Sequence, residues 1–298
     1  MKGESLYTVF SKALSSEEKA ISYFEKMRWD GNVISPFDPT SKVYKCGNGK
    51  YKCKSTGRYF DVKTGTPLAN TKLPMTKWLL AIFLFQADKG GISSCQLARK
   101  LEITQKTAWY MLMKIRELVA KSNANNPKLS GEVEIDETFI GGKNKNRHKD
   151  KKVEKCQGRS YKDKVPVFGM LERGGKVVPN IHGDTLLSIV NEHVEKGSVV
   201  YTDGAGYPGI NIDYEQRDVD HSKHFYGTTY VTDEGEIIVV STNGIENVWS
   251  HFDRMMLGTY IRVSRKHLQK YVDEFTFRFN TRNFTDSQRF NLLLRNIA

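Results

Sequence analysis

Cysteine and long hydrophobic runs are both scarce in this chain. Its 298 residues include four cysteines, Cys46, Cys53, Cys95 and Cys156, too few for a disulfide framework at this length. We therefore expect reduced thiols and an intracellular protein. The first residues lack the apolar stretch of a secretory signal peptide. The apolar run Trp78–Phe85 is too short to span a bilayer, so the sequence predicts a cytoplasmic protein.

Acidic residues are fewer than basic ones. The 46 lysines and arginines against 34 aspartates and glutamates give a formal charge of +12. A basic soluble protein usually binds a polyanion, and nucleic acid is the first candidate. A basic enzyme of another kind would show the same charge. The length predicts about two domains, and 39% hydrophobic residues suffice for a core.

The segment Gly131–Gly142 carries an acidic residue where a strand should enter the core. Its first residues alternate between glutamate and an aliphatic side chain, which is the period of a half-buried β-strand. Asp136 follows at the point where the strand should become buried. Burial of an unpaired carboxylate is costly, and a divalent cation would compensate for it. The plain alternative is an aspartate at a frayed strand end.

Two further acidic residues follow elements that the sequence also predicts. Asp203 ends a short strand, Val199–Tyr201, before a glycine-rich turn. Glu246 lies in the first turn of an amphipathic helix over Asn243–Arg254, whose apolar residues recur at i, i+3, i+4 and i+7. Two aspartates on strands and a glutamate on a helix are the oxygen ligands that a two-metal phosphoryl-transfer site requires for Mg2+.

These segments resemble the DDE-type insertion-sequence transposases of the ISXO2-like group. The resemblance runs from about Phe60 to Asn283, through ETFIGG, YTDG, NGIENVWS, KGGISSCQLARKLEITQKTAWYMLMKIRE and GTYIRVSRKHLQKYVDEFTFRFN. It implies an α/β catalytic domain with an RNase H-like (retroviral-integrase-like) mixed sheet flanked by helices. A small zinc-ribbon-like region and a helix-turn-helix would precede that domain.

The resemblance also implies a reaction, a cofactor and partners. Asp136, Asp203 and Glu246 would be the catalytic residues and the ligands of two Mg2+ (or Mn2+) ions. One ion would activate a water that cuts DNA, and the freed 3′-hydroxyl would then attack target DNA. Double-stranded DNA, from terminal repeats and target, is the expected partner. Because two element ends must be cut together, we also expect a homodimer or higher oligomer.

Three residues near these acids allow more than one interpretation. His221 and His224 lie in a segment that the family places near the active site, but such a pair could also bind a metal or cap a loop. Asn247 follows Glu246, and some relatives are described with asparagine in the third position. An anionic oxygen binds Mg2+ better than a neutral amide, which favours Glu246.

The N-terminal region, residues 1–66, departs from the family's pattern. A helix comes first, and two Cys-x-x-Cys knuckles of a zinc ribbon would follow. The first knuckle is replaced by Ile34–Phe37, and the second keeps Cys53 but has Thr56 as its partner. A structural zinc site needs four Cys or His ligands, so structural zinc is not expected. Degenerate ribbon-like hairpins would be held instead by Tyr44, Tyr51, Tyr59 and Phe60.

Residues 67–121 predict a helix-turn-helix DNA-binding region. Thr104 caps the second helix of the pair, which would enter a major groove N-terminus first. Three residues at its start can reach base edges or phosphates: Gln105, Lys106 and Thr107. The alternative is an ordinary helical hairpin, and in either case we expect Trp109 in the core.

Other basic residues are predicted to hold DNA. The run Lys143–Lys164 contains ten lysines or arginines and follows Asp136 closely, so it would form a basic arm beside the site. The alternative is a solvated loop. Asp253 stands where relatives carry a DNA-contacting lysine, and Arg254 follows it. The expected DNA contacts outside the helix pair are Lys143, Lys145, Arg147, Lys149, Arg254, Arg265 and Lys266.

The polar stretch 122–130 predicts a linker before a catalytic domain over 131–298. A DNA transposase that cuts and joins insertion-sequence ends is the function that fits these features. The main alternative is a decayed or domesticated DNA-binding protein without activity. The degenerate ribbon and Asp253 favour that alternative, whereas the three acids oppose it. A stand-alone RNase H-like nuclease would not need the helix pair.

Overall fold

The computed structural model divides the chain into two compact units. We call Met1–Asn125 with Thr281–Ala298 the helical unit, and Asn126–Asn280 the sheet unit. The residues that the structure describes are 11, 14–124, 126–141, 148–154, 164–181, 186–203, 209–219, 228–231, 235 and 237–297.

The helical unit begins with helix α1, Glu17–Trp29. The hydroxyl of Ser16 caps it by accepting a hydrogen bond from the Lys19 N–H. A three-stranded antiparallel sheet follows, formed by β1 Val43–Lys45, β2 Lys50–Cys53 and β3 Tyr59–Asp61.

Aromatic packing on one face of this small sheet ties it to α1. Tyr51 and Phe60 are buried, and the Trp29 ring meets both edge-on at 5.3 and 6.2 Å between centroids. The strand register places Tyr44 and Tyr59 on the opposite, exposed face. The prediction that all four aromatics hold the hairpins is therefore wrong for these two tyrosines.

Hydroxyl groups surround Cys53, the cysteine retained at the second knuckle position. The thiol is buried, and its Sγ lies 3.4 Å from the Ser55 Oγ. Hydrogen bonds from Ser35, Ser41, Ser55 and Thr56 lower the pKa of this thiol to about 5. Serine and threonine hydroxyls thus surround Cys53, whereas a zinc ribbon of the resembling family would have further cysteine ligands there.

Four helices complete the helical unit: α2 Met75–Ala87, α3 Ser94–Leu101, α4 Gln105–Ala124 and the C-terminal helix Asp286–Arg295. Helix α4 extends into the predicted linker. The C-terminal helix buries Phe290, Leu293 and Leu294 while packing on α1, α2 and α4. Residues 281–298 therefore group with the helical unit, not with the sheet unit as the sequence predicted. Within the described segments, no helix is both long and apolar enough to cross a membrane.

The sheet unit is built on a five-stranded mixed sheet with the order β6-β5-β4-β7-β8. These strands are β4 Glu132–Ile140, β5 Val165–Glu172, β6 Val177–Asn180, β7 Val199–Thr202 and β8 Glu215–Asp218. A separate hairpin consists of β9 Thr228–Val231 and β10 Ile237–Val240. The helices are α5 Leu186–His193, α6 Asn243–Met255 and α7 Leu268–Asn280.

Each face of this sheet is covered by a helix. On one face Val133, Ile135 and Met170 form a core with Ile189 and Val190 of α5. The other face carries α6, which packs on α7 through the Phe252 and Phe275 rings at 5.1 Å. Strands β4 and β7 are adjacent and parallel. A mixed sheet flanked by helices is compatible with an RNase H-like fold.

Candidate active site

Asp136 lies on the central strand of the sheet, and Asp203 directly follows the neighbouring strand. Asp136 pairs with Gly169 of the antiparallel strand β5. On its other side β4 runs parallel to β7, and the last pair of this ladder is Glu134 with Tyr201. Asp136 and Asp203 each come two residues after that pair, so both lie just past the point where the two strands stop pairing.

The α6 face of β4 is acidic, and it becomes buried from Glu134 onward. Glu132, Glu134 and Asp136 alternate along it, and Asp136 is only 7% exposed. The prediction that Asp136 enters the buried part of its strand is confirmed. Glu134 is only 3% exposed, although the alternation predicted a polar face toward solvent. The reason is that α6 covers this face of the sheet.

A cleft of about 880 Å³ opens between β4 and α6. Asp136 and Glu246 both line it, so two of the three predicted acids face one space. Asp203 is not among the lining residues, and the residues that follow it, 204–208, lie outside the described part of the chain. Asn247 is exposed and does not line the cleft. Of the two adjacent residues Glu246 and Asn247, it is therefore Glu246 that reaches the cleft.

Further charged residues share this cleft. Asp253 and Arg254 line it on the same helix face as Glu246, and Lys164 lines it just before β5. Partial burial raises the pKa of the Asp253 carboxyl. Arg254 thus brings a cation to the region where the family pattern expects a lysine, with an acid beside it.

A buried ion pair fixes the start of α6 against β4. Glu134 accepts a hydrogen bond of 2.8 Å from the Ile245 N–H, in the first turn of α6. The same carboxylate pairs with Arg173, at 2.9 Å from Nε to Oε1. Arg173 also donates to the backbone oxygens of Val239 and Ser241, at 3.0 and 2.9 Å. Because Glu246 follows Ile245 directly, this network positions the third acid over the sheet.

Sequence reasoning missed Glu134 and Arg173 as positioning residues. Glutamates alternating with aliphatic residues are typical of a solvated strand face, so the pattern did not indicate that Glu134 is buried or that it pairs with Arg173. The available signal was that Glu134 precedes Asp136 by two residues. Both therefore share a strand face that a metal-binding helix would have to cover.

Two glycines allow α6 to approach the sheet closely. A Cβ at Gly169 would lie 2.4 Å from the Trp249 ring, and a Cβ at Gly244 would lie 2.6 Å from a Glu134 carboxylate oxygen. Neither distance is physically possible for a real Cβ, so with any larger residue the neighbouring side chain or the helix must shift. Glycine at these two places keeps Glu246 within reach of β4.

We expect Gly169→Ala to destabilise the protein by about 1–3 kcal/mol, because the new methyl group forces the Trp249 ring away from the sheet. Denaturant unfolding of the full chain measures this change. Gly258→Ala is the matched control, since its Cβ meets nothing within 4 Å. Equal stability of the Gly169→Ala variant and the wild type would contradict the close packing of α6.

The donors at this site suit a hard divalent cation, although the described residues do not complete a ligand set. Carboxylate oxygens are the ligands that Mg2+ prefers, and Asp136 and Glu246 supply them from opposite walls of one cleft. Among the residues that the structure describes, no group of three or more His, Cys, Asp or Glu side chains is arranged to hold a metal ion. The donor chemistry of Asp136 and Glu246 therefore fits such an ion.

Several predicted contact residues cannot be located on the surface. His221, His224, Lys143, Lys145 and Arg147 lie outside the described residues. The remaining ones are exposed: Lys149 lies in a short 3-10 helix, Lys149–Lys151, and Arg265 and Lys266 lie in another, Arg265–His267.

In the helical unit, α3 and α4 form a tight pair joined by three residues. The start of α4 is capped by Thr104, whose Oγ accepts from the Thr107 N–H at 3.2 Å. Gln105 uses its amide to bond the Ser94 hydroxyl at 2.7 Å, while Lys106 is exposed. Trp109 is exposed, so its prediction as a core residue is wrong. It lies outside the helix stripe formed by Ala108, Met111, Leu112 and Ile115.

The chain matches one family pattern and is similar to two proteins of known sequence. The sequence pattern of the ISXO2-like transposase domain matches residues 128–280, about half of the chain and nearly all of the sheet unit. A Halobacterium salinarum protein, "Uncharacterized protein in transposable element ISH50", is 26% identical over 284 residues, which cover 90% of this chain and 92% of that protein. An "Uncharacterized transposase-like protein" of Haemophilus influenzae is 34% identical over 107 residues, which cover 35% of this chain and 77% of that protein.

Proposed function

Because the chain belongs to the ISXO2-like transposase family, we propose that it cuts and rejoins DNA at the ends of an insertion sequence. The observation that carries this proposal is the cleft shared by Asp136 and Glu246. Asp203 follows β7, the strand that pairs with β4. Family membership supports a DNA substrate and a divalent metal ion. The residue assignments and the order of steps are the proposal.

Asp136, Asp203 and Glu246 would hold two Mg2+ or Mn2+ ions. Bound there, the ions would lower the pKa of a water and stabilise charge on the phosphate oxygens. The protein's own cations have a separate task, because Arg254 and Lys164 line the same cleft and can bind the phosphates flanking the cut. These two side chains would orient the strand without taking part in bond breaking.

The proposed reaction has two balanced steps. In cleavage, a water oxygen bonds to phosphorus and the 3′ oxygen of the element end leaves as a hydroxyl. In joining, that 3′ oxygen bonds to a target phosphorus, and the target strand's own 3′ oxygen leaves. No covalent intermediate between protein and DNA is needed. Two ends must be processed together, so we propose a dimer or larger assembly on DNA, acting in the cytosol.

A second candidate is a DNA-binding relative that has lost activity. Two observations favour it: Asp253 lines the cleft where the family pattern expects a cation, and the described acids do not form a three-ligand group. In this case the helical unit would still bind the element ends. The sheet unit would serve only for assembly.

A strand-transfer assay separates the candidates. The full chain is incubated with a labelled duplex of the inverted repeat that flanks its gene, a target plasmid and Mg2+. Labelled plasmid supports the transposase. Specific binding without any cut supports the inactive relative. Cleavage without joining would show a nuclease and would overturn the proposed transfer step.

We expect Lys106→Gln to weaken DNA binding through one lost phosphate contact, because Lys106 is exposed at the start of α4. The slope of log affinity against log salt should fall by about 0.9. Fluorescence anisotropy over a salt series measures it. Lys121→Gln, at the exposed far end of the same helix, is the control. If both variants changed the salt slope equally, the start of α4 would not be a specific DNA contact.

A further inference from the structure

Two large aliphatic side chains project into solvent, one at the cleft and one four residues further along the chain. Leu257 is 73% exposed and Ile261 is 79% exposed. Leu257 lines the cleft together with Asp136 and Glu246. Single exposed aliphatic residues are ordinary, but two within five residues, of which one lines a polar cleft, indicate a contact surface.

The backbone forces Ile261 outward at a conformational cost. Helix α6 continues into a π-helical turn, Met256–Tyr260, which ends with the Ile261 N–H donating to the Met256 oxygen at 2.7 Å. Ile261 then adopts φ +60° and ψ −53°, and the Arg262 N–H donates to the Tyr260 oxygen at 2.5 Å. These contacts define a γ-turn of the strained, positive-φ kind, which is unusual for a β-branched residue. Strain of this kind collects at functional sites.

The base of this turn is anchored to α7. The Tyr260 hydroxyl donates to the Glu274 Oε1 at 2.7 Å, and Glu274 is fully buried in an ion pair with Arg278 at 2.7 Å. The Tyr260 ring also meets the Tyr271 ring edge-on, at 4.7 Å between centroids. The residue before Ile261 is therefore fixed, so the exposed tip is held away from the core.

Basic residues flank the two aliphatic side chains. Arg254, Arg262, Arg265 and Lys266 are all exposed. Within the described part of the chain, Arg262, Arg265 and Lys266 have no acidic partner. A surface with cations around an apolar centre matches a partner with phosphates outside and flat apolar groups inside, which is the chemistry of DNA.

We propose that Leu257 and Ile261 form a wedge that enters the base stack of DNA at the cleft, while Arg262 and Arg265 hold the flanking phosphates. This inference rests on the proposed function, since it needs DNA in the cleft. Inserted aliphatic side chains separate neighbouring bases and kink the duplex. Unstacking beside Asp136 and Glu246 would expose the phosphate to be cut.

The test uses the full chain and a short forked duplex with 2-aminopurine at the junction, whose fluorescence rises when the base unstacks. Ca2+ replaces Mg2+ to avoid cutting. We expect the wild type to raise the fluorescence severalfold. The variant Leu257→Ser with Ile261→Ser should abolish this rise and weaken binding by about tenfold. Ile212→Ser is the control, because Ile212 is 81% exposed in the same unit and away from the cleft lining.

Ile261→Gly separates the wedge from a structural role. Glycine tolerates positive φ, so this variant should melt at the same or a higher temperature and still lose most of the fluorescence rise. If the Ser and Gly variants both raised the fluorescence as much as the wild type does, the wedge would be wrong. Wild-type binding and cleavage without any rise would overturn the wedge alone, whereas absence of binding would overturn the proposed function as well. Preferential binding to phosphatidylserine vesicles through the same pair would assign the surface to a membrane and reject the wedge.

Discussion

Asp136→Asn is expected to reduce both DNA cleavage and strand transfer by about a thousandfold or more. The change replaces a carboxylate by an amide of the same shape, so the proposed metal site loses an anionic ligand. Strand β4 should keep its place, because its pairing with β5 and β7 is made by backbone groups. DNA affinity in Ca2+ should therefore stay near that of the wild type.

A matched substitution distinguishes this effect from a general charge change. Asp213→Asn removes one negative charge from the same unit, where Asp213 makes a partly exposed ion pair with Lys196. Its cleavage rate should equal that of the wild type. The same gel-based assay reports both variants. If Asp136→Asn retained activity, the proposed site would be wrong.

Arg173→Met should lower the free energy of unfolding by about 3–5 kcal/mol, the second large effect that the structure predicts. The substitution leaves the Glu134 carboxylate buried without its cation, and it also removes the donors to Val239 and Ser241. Leaving one charge of a buried ion pair unpaired destabilises a protein by more than the intact pair stabilises it. Denaturant unfolding of the full chain provides the measurement.

Two comparisons make this second prediction specific. Lys196→Met breaks an exposed ion pair and should cost about 1 kcal/mol or less. Combining Arg173→Met with Glu134→Gln removes both charges, so the double variant should be more stable than the sum of the two single effects predicts. Additive losses would show that Arg173 does not stabilise the protein through Glu134.

The local elements were predictable because their signals are local. Residues 132–135 alternate, the apolar side chains of Asn243–Arg254 recur at helical spacing, and Ser93 and Thr104 cap the helices that follow them. These local signals do not say which strands pair, so the pairing of β4 with β7 is known from the structure.

Burial by distant segments could not be predicted from periodicity. Glu134 is buried because a helix more than a hundred residues later covers it, and Arg173 joins it from the end of another strand. Trp109 shows the converse, since an aromatic residue in a mostly apolar helix suggested a core that the fold does not provide there. The grouping of residues 281–298 likewise depends on which surface is available to cover Phe290 and Leu293.

The return of the C-terminal helix to the helical unit has a consequence for synthesis on the ribosome. The hydrophobic surface of α1, α2 and α4 that receives Phe290, Leu293 and Leu294 stays uncovered until residues 286–295 have been synthesised. The helical unit therefore cannot finish folding before the whole sheet unit has been made. Chains that stop before this helix would expose an apolar surface to chaperones and proteases.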